Sequence, residues 1–409
     1  MSERIVIVGA GHAAGQCVAS LRQKGWSGEI VLVGEEAFHP YQRPPLSKAY
    51  LAGDLTADRL LVKPEAFYGD QSVEVRLSTK ALSLNRSEKC LQLSGDTKLT
   101  YDKLILATGA RVRKLSIPGA DLPGVGYVRT IDDVHGLQSR FAEGARMVVV
   151  GAGYIGLEVA AVAAQRGLNV TVLEVADRVM ARVTSPTVSA FYQALHAEHG
   201  VDIRLSTGID AFEAGEGGDL AAAVTATGER MPCEIAVVGI GVIPNAELAD
   251  EAGLSVDDGI VVNEVCQTED PAIYAIGDCT RHPSRYFGGK LRLESVHNAL
   301  EQAKTAAAAI CGAPVAYDQV PWFWSDQYDV KLQTVGLSAG RADREVLRGE
   351  PAEKAFSVFY FADEKLIAVD SLNRPADHMI SRQLLAHNIP LSDEQVRDPA
   401  FDLKSLLKR

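Results

Sequence analysis

The sequence predicts an α/β fold: two β-α-β units in tandem, each built on parallel strands, followed by an α+β region. Three observations predict it. Apolar runs without polar alternation, of the kind buried on both faces of a sheet, stand at Arg4–Val8 and again at Arg146–Val150. Each leads through a glycine turn into a helical stretch and a second apolar run. From about Pro321 the pattern changes to strand pairs joined by short turns.

In the first unit, the glycine turn is followed by a helix expected over about His12 to Lys24, stopped by Gly25. Glu29-Ile30-Val31-Leu32-Val33 is the next strand, and the crossover between them is expected to be right-handed. Leu104-Ile105-Leu106-Ala107-Thr108-Gly109 is a further strand closing on glycine. Pro118-Gly119 and Pro123-Gly124 read as a linker. The second unit repeats the order, with a helix over about Tyr154 to Arg166, Gly167 ending it, and a strand at Asn169-Val170-Thr171-Val172-Leu173. Ala236-Val237-Val238-Gly239 closes it, and Ala272 to Gly277 is another buried strand ending in Asp278. Phe356 to Phe361 and Leu366 to Asp370 read as a hairpin around Asp363-Glu364.

Composition narrows the function classes. A net charge of −12 argues against a general nucleic-acid binder, and no apolar run reaches the roughly 18 residues needed to cross a bilayer. Met1 runs almost directly into a strand, so no signal peptide and a cytoplasmic location are expected. The nearest two of the six cysteines, Cys266 and Cys279, are 13 positions apart, so there is no CxxC or CxxxxC redox pair, and no metal site is expected.

The glycine turns carry the first chemical signal. Gly9-Ala10-Gly11-His12-Ala13-Ala14 is a GxGxxA turn. Gly9 permits the tight turn, Gly11 lets a pyrophosphate approach the backbone, and small Ala14 lets helix and strand pack closely. Glu35 follows at the end of the second strand, where an acid takes the ribose hydroxyls. Gly151-Ala152-Gly153-Tyr154-Ile155-Gly156 repeats the turn, with Glu174 in the ribose position. An acid there accepts from a 2′-hydroxyl and repels a 2′-phosphate, which favours NAD(H) over NADP(H). Arg178 and Arg182 nearby leave that preference open. Two Rossmann-type dinucleotide-binding domains imply two dinucleotides, and FAD with a nicotinamide is the economical pair.

More specific strings follow: Tyr41-Gln42-Arg43-Pro44-Pro45-Leu46-Ser47-Lys48, Tyr127-Val128-Arg129-Thr130, Ala275-Ile276-Gly277-Asp278-Cys279, Glu294-Ser295-Val296-His297-Asn298 and Pro321-Trp322-Phe323-Trp324-Ser325-Asp326-Gln327. With the glycine turns, they resemble nearly end to end the FAD-dependent, NADH-oxidising ferredoxin reductases of Rieske oxygenases and bacterial cytochromes P450. The resemblance implies a glutathione-reductase-like fold. The FAD domain would be split over 1–113 and 245–320, with the NAD domain at 114–244 and a C-terminal α+β domain at 321–409. It implies FAD contacts at Ala14, Glu35, Arg43, Lys48, Ala81, Arg129, Asp278 and Val296. It implies NAD(H) contacts at Gly153, Ile155, Glu158, Glu174, Arg182 and Gly241, and places Trp324 beside the flavin ring.

Lys48, Glu158 and Trp324 are the expected catalytic residues. Lys48 is a candidate cation near flavin N5 with Glu158 as partner; the plainer readings are a surface lysine and a solvated helix carboxylate. A helix starting near Val296 would aim its positive end at the flavin, while His297 needs no acid–base role. Without a thiol pair, electrons must leave the flavin directly, which suits a [2Fe-2S] ferredoxin as acceptor. Ferredoxins are acidic, as this chain is, so a local basic patch is expected near the flavin edge. A monomer or weak homodimer is expected. Alternatives are a reductase of rubredoxin or of a small oxidant, and a redox-sensing interaction protein like apoptosis-inducing factor.

Overall fold

The computed structural model describes residues 3–338 and 340–408. The chain forms two compact units, one of residues up to Arg43 with Ala57–Arg111 and Ile243–Pro321, the other of Pro44–Thr56, Val112–Val242 and Trp322–Arg409.

The first unit is organised by a five-stranded parallel sheet in the order Ile273–Ala275, Lys103–Leu106, Arg4–Val8, Glu29–Val33, Val73–Arg76. Strand Arg4–Val8 therefore sits where the chain order reverses, with Glu29–Val33 on one side and Lys103–Leu106 on the other. Open α/β sheets bind ligands at the carboxyl ends of the strands at such a point. Its first helix spans His12–Gln23, with Lys24 as C-cap and Gly25 beyond it at φ +86°. That helix packs on Val296–Ile310 through small residues, Ala13, Ala14, Ala299, Ala303 and Ala306 among them, which lets the two helices approach closely. An antiparallel sheet of Ala81–Asn85, Cys90–Leu93 and Thr97–Thr100 was not predicted. Its strands are short and half exposed, and carry little pattern.

The second unit repeats the parallel sheet in the order Asp202–Arg204, Asn169–Leu173, Arg146–Val150, Ile235–Val238, Val125–Gly126. The helix after its glycine turn is Tyr154–Gln165, capped by Arg166. The Pro-Gly stretch expected to be a linker is pinned instead: Phe212 N donates to Pro118 O (2.9 Å) and Leu220 N to Pro123 O (2.8 Å). Gly119, at φ +75°, lies so close to the Phe212 carbonyl that a Cβ would come within 2.1 Å of it. The Pro-Gly signals mark tight turns against the neighbouring strand Ile209–Ala214, and tight turns read in sequence like free connections.

The same unit contains the C-terminal sheet, antiparallel in the order Trp322–Gln327, Val330–Gly336, Lys365–Leu372, Ala355–Ala362, Arg344–Glu350. The expected hairpin is present. Ala362 pairs with Lys365, and Asp363 and Glu364 form the two-residue turn at φ +46° and +62°. Among the described residues no helix is long and apolar enough to cross a membrane.

Candidate functional site

The two glycine turns have the geometry that binds phosphate. Gly9 and Gly151 stand at φ +115° and +102°, and a Cβ on either would fall 2.1 Å from the Ala107 carbonyl oxygen or 2.5 Å from that of Gly239. Each turn is thus wedged against the end of the adjacent strand, and only glycine fits. A Cβ at Gly11 or Gly153 would meet no described atom within 4 Å. Protein packing does not demand glycine at those positions; room for an approaching ligand does. Gly156 packs tightest, with a Cβ position 2.0 Å from Gly151 O, while Ala14 is fully buried at the equivalent point of the first turn.

Capping distinguishes these helices from others in the molecule. Thr130, Ser185 and Ser295 each cap their helix with a side-chain oxygen. The helices His12–Gln23 and Tyr154–Gln165 begin at Gly11 and Gly153, with no side-chain cap and no acid in the first turn. With no side-chain cap, these helix N-termini and their positive dipole ends suit an anion. The residues present therefore fit two dinucleotides. Gly9, Gly11 and Ala14 would cradle one pyrophosphate, and Gly151, Gly153, Ile155 and Gly156 the other. Ile155 is 40% exposed at the helix start, unusual for an isoleucine and suited to covering a ligand.

The acids behave differently in the two units. Glu174 accepts from Ala152 N (2.7 Å) and Ala176 N (2.9 Å), so it braces the glycine turn from the ribose position. Glu35 is exposed and paired with Lys80 at 3.0 Å. Its neighbour Glu36, not singled out in the sequence, accepts from both Tyr41 and Arg43 and fixes the Arg43 guanidinium. Arg178 is consumed structurally, donating to Thr184 O, Ala181 O and Ser189 Oγ at 2.7–2.9 Å. That removes one of the two arginines that clouded the NAD(H) preference. Arg182 stays beside Gly241, with an Nη 3.8 Å from that glycine's Cβ position. Ala81 opens its strand, Asp278 follows the Gly277 turn, and Val296 is the first residue of its helix. Arg129 N donates to Asp133 Oδ2 (3.0 Å) just before the helix Ile131–Gln138, in the second unit.

The second unit also brings Lys48 and Glu158 together. Lys48 Nζ lies 2.6 Å from Glu158 Oε2, and the Glu158 side chain is 4% exposed. Two serines complete its coordination: Ser47 Oγ donates to Oε2 (2.5 Å) and Ser325 Oγ to Oε1 (2.6 Å). Neither serine had been assigned a role, although both lie inside the diagnostic strings. A buried carboxylate with a cation and two hydroxyl donors is a satisfied charge, held in one orientation. Trp324 sits on the same strand as Ser325, its ring 5.7 Å from that of Trp322 and 34° from parallel. Burial raises the pKa of the Tyr154 and Tyr192 hydroxyls well above the usual value, with Asp370 adding to the effect.

Fold and site define a flavin-type pyridine-nucleotide reductase, and the chain belongs to the pyridine nucleotide-disulphide oxidoreductase family, whose model matches residues 3–303. A second model, the reductase C-terminal domain, matches residues 322–407. The family uses FAD and NAD(H). The chain is 47% identical over 405 residues to a rhodocoxin reductase of Rhodococcus erythropolis, covering 99% of this chain and 94% of that protein. It is 43% identical to the putidaredoxin reductase CamA of Pseudomonas putida, covering 99% and 97%. It superposes with a TM-score of 0.96 on the reductase in a crystal structure of the covalent putidaredoxin reductase–putidaredoxin complex, at 42% identity over 99% of this chain and 98% of that one.

Proposed function

We propose that this chain is an FAD-dependent NADH:ferredoxin oxidoreductase of the cytoplasm, serving a cytochrome P450 or Rieske oxygenase through a [2Fe-2S] ferredoxin. The observation that carries the reading is the buried Lys48–Glu158 pair, in a chain with two phosphate-binding turns and no CxxxxC. The named relatives, a rhodocoxin reductase and a putidaredoxin reductase, support the acceptor class. We assign the FAD domain to 1–113 and 245–320, the NAD domain to 114–244 and the C-terminal domain to 321–409.

FAD, held by these residues, would supply the redox chemistry that takes a hydride from NADH and passes electrons to a one-electron carrier. The chain's residues do the rest. Gly11 and Gly153 expose helix N–H groups to the pyrophosphates, and Glu174 selects a ribose with a free 2′-hydroxyl. Ser47 and Ser325 hold Glu158, which holds the Lys48 ammonium in place to orient the nicotinamide. Trp324 would lie beside the bound flavin, and the net charge of −12 calls for a local basic patch where an acidic ferredoxin would dock.

Anaerobic stopped-flow measurement tests the reading. NADH is expected to reduce the bound flavin much faster than NADPH. The reduced protein is expected to reoxidise faster with a [2Fe-2S] ferredoxin than with rubredoxin or monodehydroascorbate. Faster reoxidation by either of the latter refutes the ferredoxin assignment.

A further inference from the structure

Glu158 is the end of a buried hydrogen-bonded chain that runs away from Lys48. Ser325 Oγ, which donates to Glu158 Oε1, lies 3.1 Å from Gln327 Nε2. Gln327 Oε1 lies 2.9 Å from His196 Nε2, and His196 Nδ1 lies 3.1 Å from the Tyr328 hydroxyl. His196 and Ser325 are 0% exposed, Gln327 1% and Glu158 4%. All of these residues belong to the second unit.

The direction of every bond follows from the carboxylate end. An ionised Glu158 can only accept, so the one hydroxyl proton of Ser325 is committed to it. Ser325 Oγ must then accept from the Gln327 amide nitrogen, which turns the Gln327 carbonyl toward His196. That carbonyl can only accept, so His196 carries its proton on Nε2 and accepts at Nδ1 from Tyr328. Four donors in series point toward Glu158, and such chains polarise one another in a low-dielectric interior. Burial also pushes the His196 pKa down to about 4, with the nearby His199 acting in the same direction against the Gln327 hydrogen bond. The ring is therefore neutral, as the chain requires.

We propose that His196, Gln327 and Ser325 are positioning residues that fix the orientation of Glu158 and, through it, of the Lys48 ammonium. This rests on the function proposed above, in which that pair orients the nicotinamide. A glutamine in mid-chain makes this a device for orientation and not a proton path, because an amide does not readily pass on a proton.

The test uses the FAD-loaded protein with 15N-labelled histidine. The His196 signal, assigned by its loss in His196→Gln, is expected to report a neutral ring protonated at Nε2 between pH 5.5 and 9. A ring protonated at Nδ1, or one titrating in that range, overturns the proposal. Gln327→Met, which removes the acceptor for His196, and Ser325→Ala, which removes the acceptor that orients the Gln327 amide, are both expected to release the tautomer. In Ser325→Ala, the limiting rate of flavin reduction at saturating NADH is expected to fall about tenfold, the scale of one charge-assisted hydrogen bond. FAD content should be unchanged, and Ser325→Thr should restore the rate to within about threefold. Equal loss in both Ser325 variants, or none in either, refutes positioning. If NADH fails to reduce the flavin of the unmodified protein, the proposed function falls instead, and the tautomer measurement still reads out the chain.

Discussion

Asp370 offers a test that depends on no assumption about the reaction. It lies on strand Lys365–Leu372 opposite Thr334 and Val358, is 2% exposed, and accepts from the Tyr360 hydroxyl at 2.7 Å. Burial pushes its pKa from 3.8 up to about 7; the Tyr360 hydrogen bond opposes the shift and Glu345 adds to it. A raised carboxyl pKa means that the folded state holds its proton more tightly than the unfolded state. The folded protein is therefore penalised increasingly as pH rises through 3.8 toward 7. Each tenfold difference in proton affinity is worth about 1.4 kcal/mol, so the penalty is about 1 kcal/mol at pH 4.5 and about 4 kcal/mol at pH 8.5. Asp370→Asn removes the titration and keeps an acceptor for Tyr360. The variant is expected to gain about 3 kcal/mol on the parent between those pH values. Urea unfolding followed by tryptophan emission reads this out, since two of the three tryptophans, Trp322 and Trp324, share a unit with Asp370. FAD is held at the same excess for both proteins, because ligand binding shifts apparent stability. Other titrating groups are common to both proteins and cancel in the difference. A stability gap that changes by less than about 1 kcal/mol across the range refutes the argument.

The Cβ of Gly156→Ala would fall 2.0 Å from the Gly151 carbonyl oxygen, so the helix must move off the turn; NADH affinity by titration is expected to drop more than about tenfold with FAD content retained. Glu174→Ala removes the acceptor for Ala152 N and Ala176 N together with the charge that repels a 2′-phosphate. Its dissociation constant for NADH is expected to rise about tenfold while the preference over NADPH narrows. His196, His282 and His378 are each pushed by burial from 6.5 to about 4, so they are neutral when folded. The stability this supports is complete above pH 6.5 and lost as pH falls toward 4; scanning calorimetry should show Tm dropping through that window, less steeply for His282→Gln.

Local features were legible in the sequence because their physics is local. The strands beside both glycine turns, the helices His12–Gln23 and Tyr154–Gln165, and the Asp363-Glu364 turn all follow from neighbouring residues. Lys48 and Glu158, 110 positions apart, could be paired only through resemblance to a family. Ser47 and Ser325 lay inside strings already recognised, yet a serine's role depends on what it faces, and Glu158 is 111 and 167 positions from them. Glu36 was passed over for Glu35 because the ribose position is counted along the strand. Which of two adjacent acids turns toward Arg43 is decided by the chain beyond it. Pinning of the Pro-Gly stretch by Phe212 and Leu220 was hidden for the same reason.

The origin of the Glu158 partners bears on how freely pieces of this protein can be exchanged. Family models divide the chain between residues 303 and 322, a natural place to cut when building chimaeras. Ser325 and Gln327 lie just beyond that cut, while Glu158 and His196 lie before it. A transplanted C-terminal segment lacking a hydroxyl and an amide at these two positions would leave Glu158 Oε1 and His196 Nε2 without these partners in a dry interior. The C-terminal region is therefore not a modular cap; it is compatible only with donors that preserve this pair, and recombination between relatives has to be planned around residues 325 and 327.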